Sequence, residues 1–386
     1  MNTHSFQANQ ILGDPSLKIR RDGIITIENG YIVEILENVQ LNQNIKNFII
    51  CPCLIDAHTH LFLSGTTDMS FRKCQQELTK SEIQKQIKTH IQAAMSYGVL
   101  SVRDMGDINN SLAEVSCPES FRLLNTGPGY CLEDQYGQLI AIPLAHMEDL
   151  PFAISKNTFS SRWIKIVQSG INSLTDFETP CAYQFSESIL TDAVKIAHQR
   201  GLRVATHANG EKAVAISIKS NCDSIEHGYK MGRENLKRMA EGQILWIPTI
   251  VAMKNLVQFW PGTLQERDNA KRYVDDQMEQ IFWAREYGVP ILAGSDAGSF
   301  AVNHGKGLWE EIQIFVETGM SFEEAISCAS SKSALLLGGW EEFGLLTPGK
   351  QANFVILESS VEDFPKKQIQ PKEVWINGKQ FNPLSN

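Results

Sequence analysis

Five side chains of metal-binding type each stand at the end of a short apolar run, and that repetition constrains this chain more than any other feature. His58 and His60 close Ile55-Asp56-Ala57-His58-Thr59-His60, just after Phe48-Ile49-Ile50-Cys51-Pro52-Cys53-Leu54. His207 lies in Val204-Ala205-Thr206-His207-Ala208, His227 in Ser224-Ile225-Glu226-His227-Gly228, and Asp296 in Ile291-Leu292-Ala293-Gly294-Ser295-Asp296. Apolar runs of this length read as buried strands. Side chains alternate faces along a strand, so His58 and His60 leave one face together. Neutral imidazoles and a carboxylate suit a divalent first-row metal such as zinc. A lone His-x-His would be weak evidence; five donors at strand ends are hard to dismiss.

The strand-like runs span 48–56, 99–104, 121–125, 163–167, 203–206, 223–226, 244–248 and 290–293. Between them, 82–97 and 187–200 carry helical spacing, with Gly98 and Gly201 following as C-terminal caps. Eight strands with intervening helices in about 250–300 residues predict an α/β fold, a (β/α)8 TIM barrel. A doubly wound open sheet is the alternative, but no Gly-rich phosphate turn follows an early strand. In a barrel the strand C-termini share one face, which gathers His58, His60, His207, His227 and Asp296. The two ends of the chain read differently. Residues 18–50 and 345–386 are short strands with turn signals such as Arg21-Asp22-Gly23 and Glu28-Asn29-Gly30. Neither segment buries a sheet face alone, so both termini together predict one small β-sandwich. The expected division is therefore 1–50 plus 345–386 for the sandwich and 51–344 for the barrel. Two long connections, 127–162 and 249–272, fall on the expected active face as pocket walls. The second carries Met253, Phe259, Trp260 and Pro261, which either line an apolar pocket or pack the loop onto the barrel.

Composition narrows the partners. The net charge of −9 and the lack of a Lys/Arg block argue against nucleic acid or an anionic membrane. A small molecule is the expected partner. Eight cysteines scattered over 386 residues do not form a disulfide framework, and Cys51-Pro52-Cys53 lacks the spacer of a redox motif. Residues 1–10 are polar, and no apolar run approaches a membrane span, so the expected location is the cytoplasm.

Further motifs complete the pattern: Ser101-Val102-Arg103-Asp104-Met105-Gly106, Trp163-Ile164-Lys165-Ile166, Ala293-Gly294-Ser295-Asp296-Ala297-Gly298, His304-Gly305 and Gly344-Leu345-Leu346-Thr347-Pro348-Gly349-Lys350-Gln351-Ala352-Asn353. In this order, over most of the chain, they resemble the amidohydrolase superfamily, closest in flavour to the branch with imidazolonepropionase and prolidase-like dipeptidases. The resemblance implies a metal-dependent hydrolase that opens an amide, dipeptide or cyclic amide C–N bond in a small molecule with metal-bound hydroxide. It implies two divalent ions, zinc by default. His58, His60 and Asp296 would hold one and His207 and His227 the other, with Lys165 carboxylated and bridging. A lysine inside an apolar strand is costly as an unpaired cation, and burial favours the neutral amine that carboxylation needs. An unmodified Lys165 paired to a carboxylate beside one metal is the alternative. Asp296 is the expected proton shuttle. His304, Tyr229 and Asn209 are candidate substrate contacts, or else loop and turn residues. Arg103 and Asp104 are expected in an internal salt bridge, and His4, His90, His146 and His198 on the surface or on helices.

Three positions depart from the family pattern: Cys53 and Asn353, where packing alone is affected, and Ile171, beside the active face. Other functions stay open at this point. A binuclear site of this kind also serves lactone, ester or phosphotriester hydrolysis; a mononuclear deaminase would lack the lysine bridge; a metal-binding scaffold would have kept the fold without the chemistry. Relatives often form symmetric assemblies, so a homo-oligomer is also compatible.

Overall fold

The computed structural model describes residues 3–13, 18–42, 47–159, 162–340, 343–364 and 370–382. Parts of the expected terminal strands and of the 127–162 connection (43–46, 160–161, 365–369 and 383–386) lie outside the described residues. The fold is mixed α/β. Both termini enter one seven-stranded sheet, in the spatial order Lys379–Gln380, Glu373–Ile376, Phe354–Glu358, Phe48–Pro52, Thr3–Ile11, Arg20–Glu28, Tyr31–Leu36. All seven strands belong to one hydrogen-bonded sheet. It curls back on itself: Tyr31 bridges Gln351, just before Phe354–Glu358, and the Ile32 amide donates to the Lys350 carbonyl at 2.9 Å. Ile25, Ile27, Ile50, Phe354 and Ile356 fill the concave side. The strand Thr3–Ile11 carries few apolar residues and was not among the expected ones; its two ladders to Arg20–Glu28 and Phe48–Pro52 hold it in place.

The run 48–56 divides at Cys53. Phe48–Pro52 pairs with the terminal sheet, whereas Leu54–Thr59 pairs with Val99–Asp104. The expected boundary at residue 50 therefore falls inside a strand. Pro52 has no N–H to continue a ladder, and the Cys53 amide turns to the Asn353 carbonyl.

The central strands are parallel, in two groups. Leu54–Thr59, Val99–Asp104 and Arg122–Asn125 form one sheet. Leu245–Ile247, Ser224–His227, Arg203–Ala208, Trp163–Val167, Gly129–Leu132 and Ala141–Leu144 form the other. The closed eight-stranded ladder read from the sequence is interrupted at two places, each with a local cause. After Arg122–Asn125 the chain turns at Gly127, with φ +66°, and Pro128 has no N–H to donate. Its continuation, Gly129–Leu132, then pairs with Trp163–Val167 through Tyr130 and Ile166. The run 290–293 forms no ladder, but it is bonded on both sides. The Leu292 amide donates to Trp246, the Trp246 amide to Pro290, the Ala57 amide to Ala293, and the Asp296 amide to His58. Ile55, Trp163, Ala205, Leu245 and Leu292 meet in one buried cluster, closed off by Leu337 and Trp340.

Helices cover the outside. Lys80–Ser96 buries Ile83, Ile87, Ile91, Ala94 and Met95, and Glu187–Gln199 buries Leu190, Ala193, Val194 and Ala197. Both sets follow the i, i+3, i+4 spacing of a one-sided apolar stripe. No helix among the described residues is long and apolar enough to cross a membrane. The 249–272 segment is not a loop. It contains Ile250–Phe259 and the start of Leu264–Tyr287.

Gly98 and Gly201 both follow their helices at positive φ, +75° and +71°, as C-terminal caps do. They differ in surroundings. A Cβ on Gly98 would lie 2.1 Å from Val355 Cγ1 of the terminal sheet, whereas one on Gly201 meets nothing within 4 Å. Gly98→Ala is expected to cost about 2–5 kcal/mol from backbone strain plus overpacking, and Gly201→Ala about 1–2 kcal/mol from strain alone. Urea unfolding of the two variants side by side checks this; equal losses would mean that Gly98 is only a cap.

Candidate metal centre

His58, His207 and His227 stand at the C-terminal ends of their strands, Lys165 at the middle of Trp163–Val167, and His60 one residue past its strand. A register shift between Asp56 and Thr59 sits beside the first pair, in the position where bulges re-aim side chains near sites. The four imidazoles form a contiguous group. Ring centroids are 5.4 Å apart for His58 and His60, 4.9 Å for His58 and His227, and 4.5 Å for His207 and His227. Asp296 Oδ1 stands 3.4 Å from His58 Nε2 and 3.6 Å from His60 Nε2. His58, His60 and Asp296 each offer a ligand atom within 4.8 Å of the others.

Each ring is oriented by a group behind it. His60 Nδ1 lies 3.0 Å from the Gly106 carbonyl, which can only accept, so that nitrogen carries the proton and Nε2 keeps its lone pair. His227 Nδ1 is 2.7 Å from Thr249 Oγ1. The Thr249 hydroxyl proton goes to the Pro248 carbonyl, so Oγ1 accepts and His227 Nε2 stays free. His207 differs in that Nε2 is its engaged nitrogen, 3.3 Å from both the Gly170 carbonyl and the Asn209 side-chain nitrogen. His58 Nδ1 donates to Glu226 Oε2 at 2.7 Å. Burial pushes His60 down to about 4, His207 down to about 3 and His227 well below the ordinary imidazole value. These rings are neutral at pH 7 and present lone pairs, as metal ligands must.

Two buried polar atoms in the group have no hydrogen-bond partner, His58 Nε2 and Lys165 Nζ. Orphaned buried groups are rare and call for a reason. Lys165 is fully buried; desolvation lowers its ammonium to about 8, against the opposing pull of Glu226. Gly129 packs against the lysine stem, where a Cβ would come within 3.2 Å of Lys165 Cβ and Cγ. Neutral imidazoles, an orphaned ring nitrogen, an orphaned amine and a carboxylate are a donor set that fits divalent metal.

Reading the chain alone missed two groups that hold the donors, Glu226 and Asp56, and placed Arg103 in a salt bridge without its partner. Glu226 takes both Arg103 Nη2 contacts, at 2.8 and 3.0 Å, and a hydrogen bond from Ser224 Oγ. Arg103 also donates from Nε to the Ala57 carbonyl at 2.7 Å. Arg103 thus lies in an internal salt bridge, whereas Asp104 accepts from the Leu61 and Gly106 amides. Asp56 accepts from the Ser295 amide and hydroxyl and from the His58 amide, which ties the His58 strand to the segment carrying Asp296. The signal for Asp56 and Glu226 was an acid inside an otherwise apolar strand, one or two residues before a ligand candidate. His227 and Asp296 hold positive φ, +68° and +53°. Non-glycine residues in that region are strained, and such outliers gather at functional sites.

The candidate substrate contacts separate. Asn209 and Tyr229 line the cavity above the histidines. Asn209 Oδ1 accepts from the Tyr229 amide, and the Tyr229 hydroxyl donates to the Thr249 carbonyl. His304 does not line it. Its Nε2 bonds the Leu63 carbonyl at 2.9 Å and its ring stacks on His90 at 4.2 Å, so it braces the chain after His60. Met253 and Trp260 are wall residues, as is Ile171; Phe259 is exposed instead.

The model of the amidohydrolase family matches residues 49–381. An uncharacterized protein of Mycobacterium tuberculosis is 25% identical over 346 residues, covering 86% of this chain and 85% of its own. Imidazolonepropionase of Thermoplasma volcanium is 24% identical over 391 residues, covering 92% and 87%. A crystal structure of a Xaa-Pro dipeptidase with bound methionine shares the fold, with a TM-score of 0.76, 21% identity and coverage of 99% and 100%. The chain belongs to the amidohydrolase family and is an enzyme, a hydrolase acting on carbon–nitrogen bonds.

Proposed function

We propose that the chain is a binuclear metal-dependent amidohydrolase that cleaves an amide C–N bond in a small molecule. The observation that carries this reading is Lys165, whose Nζ is fully buried and unpartnered beside four imidazoles and a carboxylate. An unmodified ammonium there would be an uncompensated buried charge. The neutral amine can add to carbon dioxide with loss of one proton, and the resulting carbamate is an anionic two-oxygen ligand between two cations. In this reading His58, His60 and Asp296 would hold one ion and His207 and His227 the other, with Lys165, once carboxylated, as a ligand they would share. Zinc is the default ion for such nitrogen and oxygen donors. A pair of ions held there supplies Lewis acidity toward the scissile carbonyl and an acidified water.

The remaining work falls to the side chains. Asp296 accepts the proton of the attacking water and delivers it to the leaving nitrogen, and its positive-φ backbone aims the carboxylate inward. Asn209 and Tyr229 position substrate from the rim. Glu226 keeps His58 in the tautomer with Nε2 free, as carboxylates behind metal-binding histidines do. In the same reading the central strands are one (β/α)8 barrel, closed at 290–297 by single hydrogen bonds, and the curled terminal sheet is a small sandwich-like domain. Free cysteines throughout are compatible with a cytoplasmic location.

Elemental analysis of protein produced with zinc and bicarbonate is expected to find about two ions per chain, and a loss of at least one in Lys165→Ala. One ion in both proteins would shift the reading to a mononuclear enzyme. Asp296→Asn is expected to cut turnover of any amide substrate by about 100-fold or more while retaining part of the metal; a near-normal rate would remove Asp296 as the shuttle. Glu226→Gln leaves Arg103 buried without its counter-charge, with an expected loss of about 3–5 kcal/mol in unfolding free energy and about 10- to 100-fold in metal affinity. Denaturant unfolding and a chelator competition read the two effects separately, and an unchanged metal affinity would mean that the carboxylate serves Arg103 alone.

A further inference from the structure

The walls of the cavity narrow the substrate, on the footing of the amide-hydrolase reading above. The space over the histidines has a volume of about 600 Å3, within the range of small-molecule sites. Leu63, Leu139, Leu174, Met253, Trp260 and Phe300 make its sides apolar. One side-chain cation stands on its wall, Arg72, while Lys165 lies on the floor among the histidines. Among the described lining residues Asp296 is the sole acid, and it is already engaged with His58 and His60.

Arg72 is held in place but not used up. Its Nη1 donates to the Ser64 carbonyl at 2.8 Å and to the Gly298 carbonyl at 3.2 Å. Gly298 is two residues past Asp296, and the Asp296 carboxylate is near enough to favour the charged guanidinium. Nε and Nη2, which together form one flat two-donor edge, make no hydrogen bond with any described residue. The guanidinium carbon lies 5.9 Å from the Phe300 ring, which meets Trp260 edge-on at 5.4 Å. A free two-donor edge against an aromatic wall matches a carboxylate in shape and charge.

We propose that the substrate is an N-acylated apolar α-amino acid, its α-carboxylate gripped by Arg72 and its uncharged acyl chain lying along the apolar walls. The α-carboxylate follows from position: it is one carbon from the leaving nitrogen, and Arg72 is anchored next to the residue that protonates that nitrogen. The blocked amine follows from charge. A free ammonium, as in a dipeptide, would meet apolar walls with no carboxylate to pair it, and burying an unpaired charge is costly. In the reaction the water oxygen bonds to the acyl carbon, the C–N bond breaks, and the nitrogen leaves with a proton passed through Asp296. The products are a carboxylic acid and a free amino acid.

The test compares N-octanoyl-L-leucine, its C-terminal carboxamide and the dipeptide phenylalanyl-leucine on the metal-loaded enzyme, by release of octanoate or of leucine. N-octanoyl-L-leucine is expected to lead both others by about tenfold or more in kcat/KM. In Arg72→Met its KM should rise about 10- to 100-fold more than that of the carboxamide, with kcat little changed. Arg72→Lys, which keeps the charge without the fork, should recover part of that loss. Equal losses for acid and carboxamide in a variant with wild-type melting would make Arg72 a structural residue and overturn the proposal, and preference for the dipeptide would overturn its blocked-amine half. Calorimetric titration of N-octanoyl-L-leucine into Asp296→Asn, with and without Arg72→Met, separates this inference from the reading beneath it. Arg72-dependent binding with no C–N turnover in the wild type would sink the hydrolase reading and keep the anion site. Turnover with no Arg72-dependent binding would do the reverse.

Discussion

The buried ion pair between Arg103 and Glu226 is the contact on which the rest of the centre depends. Both side chains are fully buried, and they join the second central strand to the strand that carries His227. Taking two charges out of water is expensive, and the pair persists because nearly every donor and acceptor on it is engaged. Arg103 reaches Ala57, Ser224 and Glu226, while Glu226 reaches Arg103, Ser224 and His58. Behind Arg103 the Trp163 ring takes its guanidinium at 4.6 Å on one side and that of Arg203 at 4.1 Å on the other. Arg203 continues to Asp223, which also holds His198. A chain of polar and cation–ring contacts therefore runs from His58 through the core to an outer helix, and the orientation of the innermost imidazole is fixed by strands that are far apart in sequence.

Much of this was legible because chemistry and periodicity coincide. A histidine or carboxylate at the end of an apolar run marks the C-terminal end of a buried strand, and Trp163–Val167 and Val99–Asp104 fall at their expected bounds. The misses have physical causes. The sequence Thr-His-Ser-Phe-Gln-Ala-Asn-Gln-Ile of Thr3–Ile11 is too polar to read as a strand, and it becomes one through ladders on both sides. Ile250–Phe259 is apolar on nearly all faces, so it lacks the polar stripe that announces a helix, and its first amides are taken up by Glu311, some sixty residues on. The 127–162 connection conceals two short strands and the helix Asp149–Ser155, broken up by Gly127, Pro128 and Gly137. Arg72 gave no signal, because the carbonyl that anchors it next to Asp296 lies 226 residues away.

The centre and its cavity obey opposite rules. On the floor, each imidazole has an acceptor behind it and burial favours the neutral form of His60, His207 and His227, so the donors are organised before any ligand arrives. On the walls the side chains are apolar and come from the connections between strands: Leu139 and Ile140 from one, Ile171 and Leu174 from another, Met253 and Trp260 from a third. Low polarity above the donors strengthens every charge interaction beneath it. Strand ends joined through a buried ion pair tolerate little change, because each partner left alone is an uncompensated charge. The wall residues carry no such coupling. Replacing one apolar residue with another there alters the shape offered to a substrate without disturbing Glu226, Arg103 or Asp56. Arg72 belongs to neither class, since it bonds the Gly298 carbonyl on the Asp296 segment and also lines the cavity. It is the one wall residue through which a substrate's charge can be felt at the reacting end, and that makes it the point where selectivity and catalysis meet in this fold.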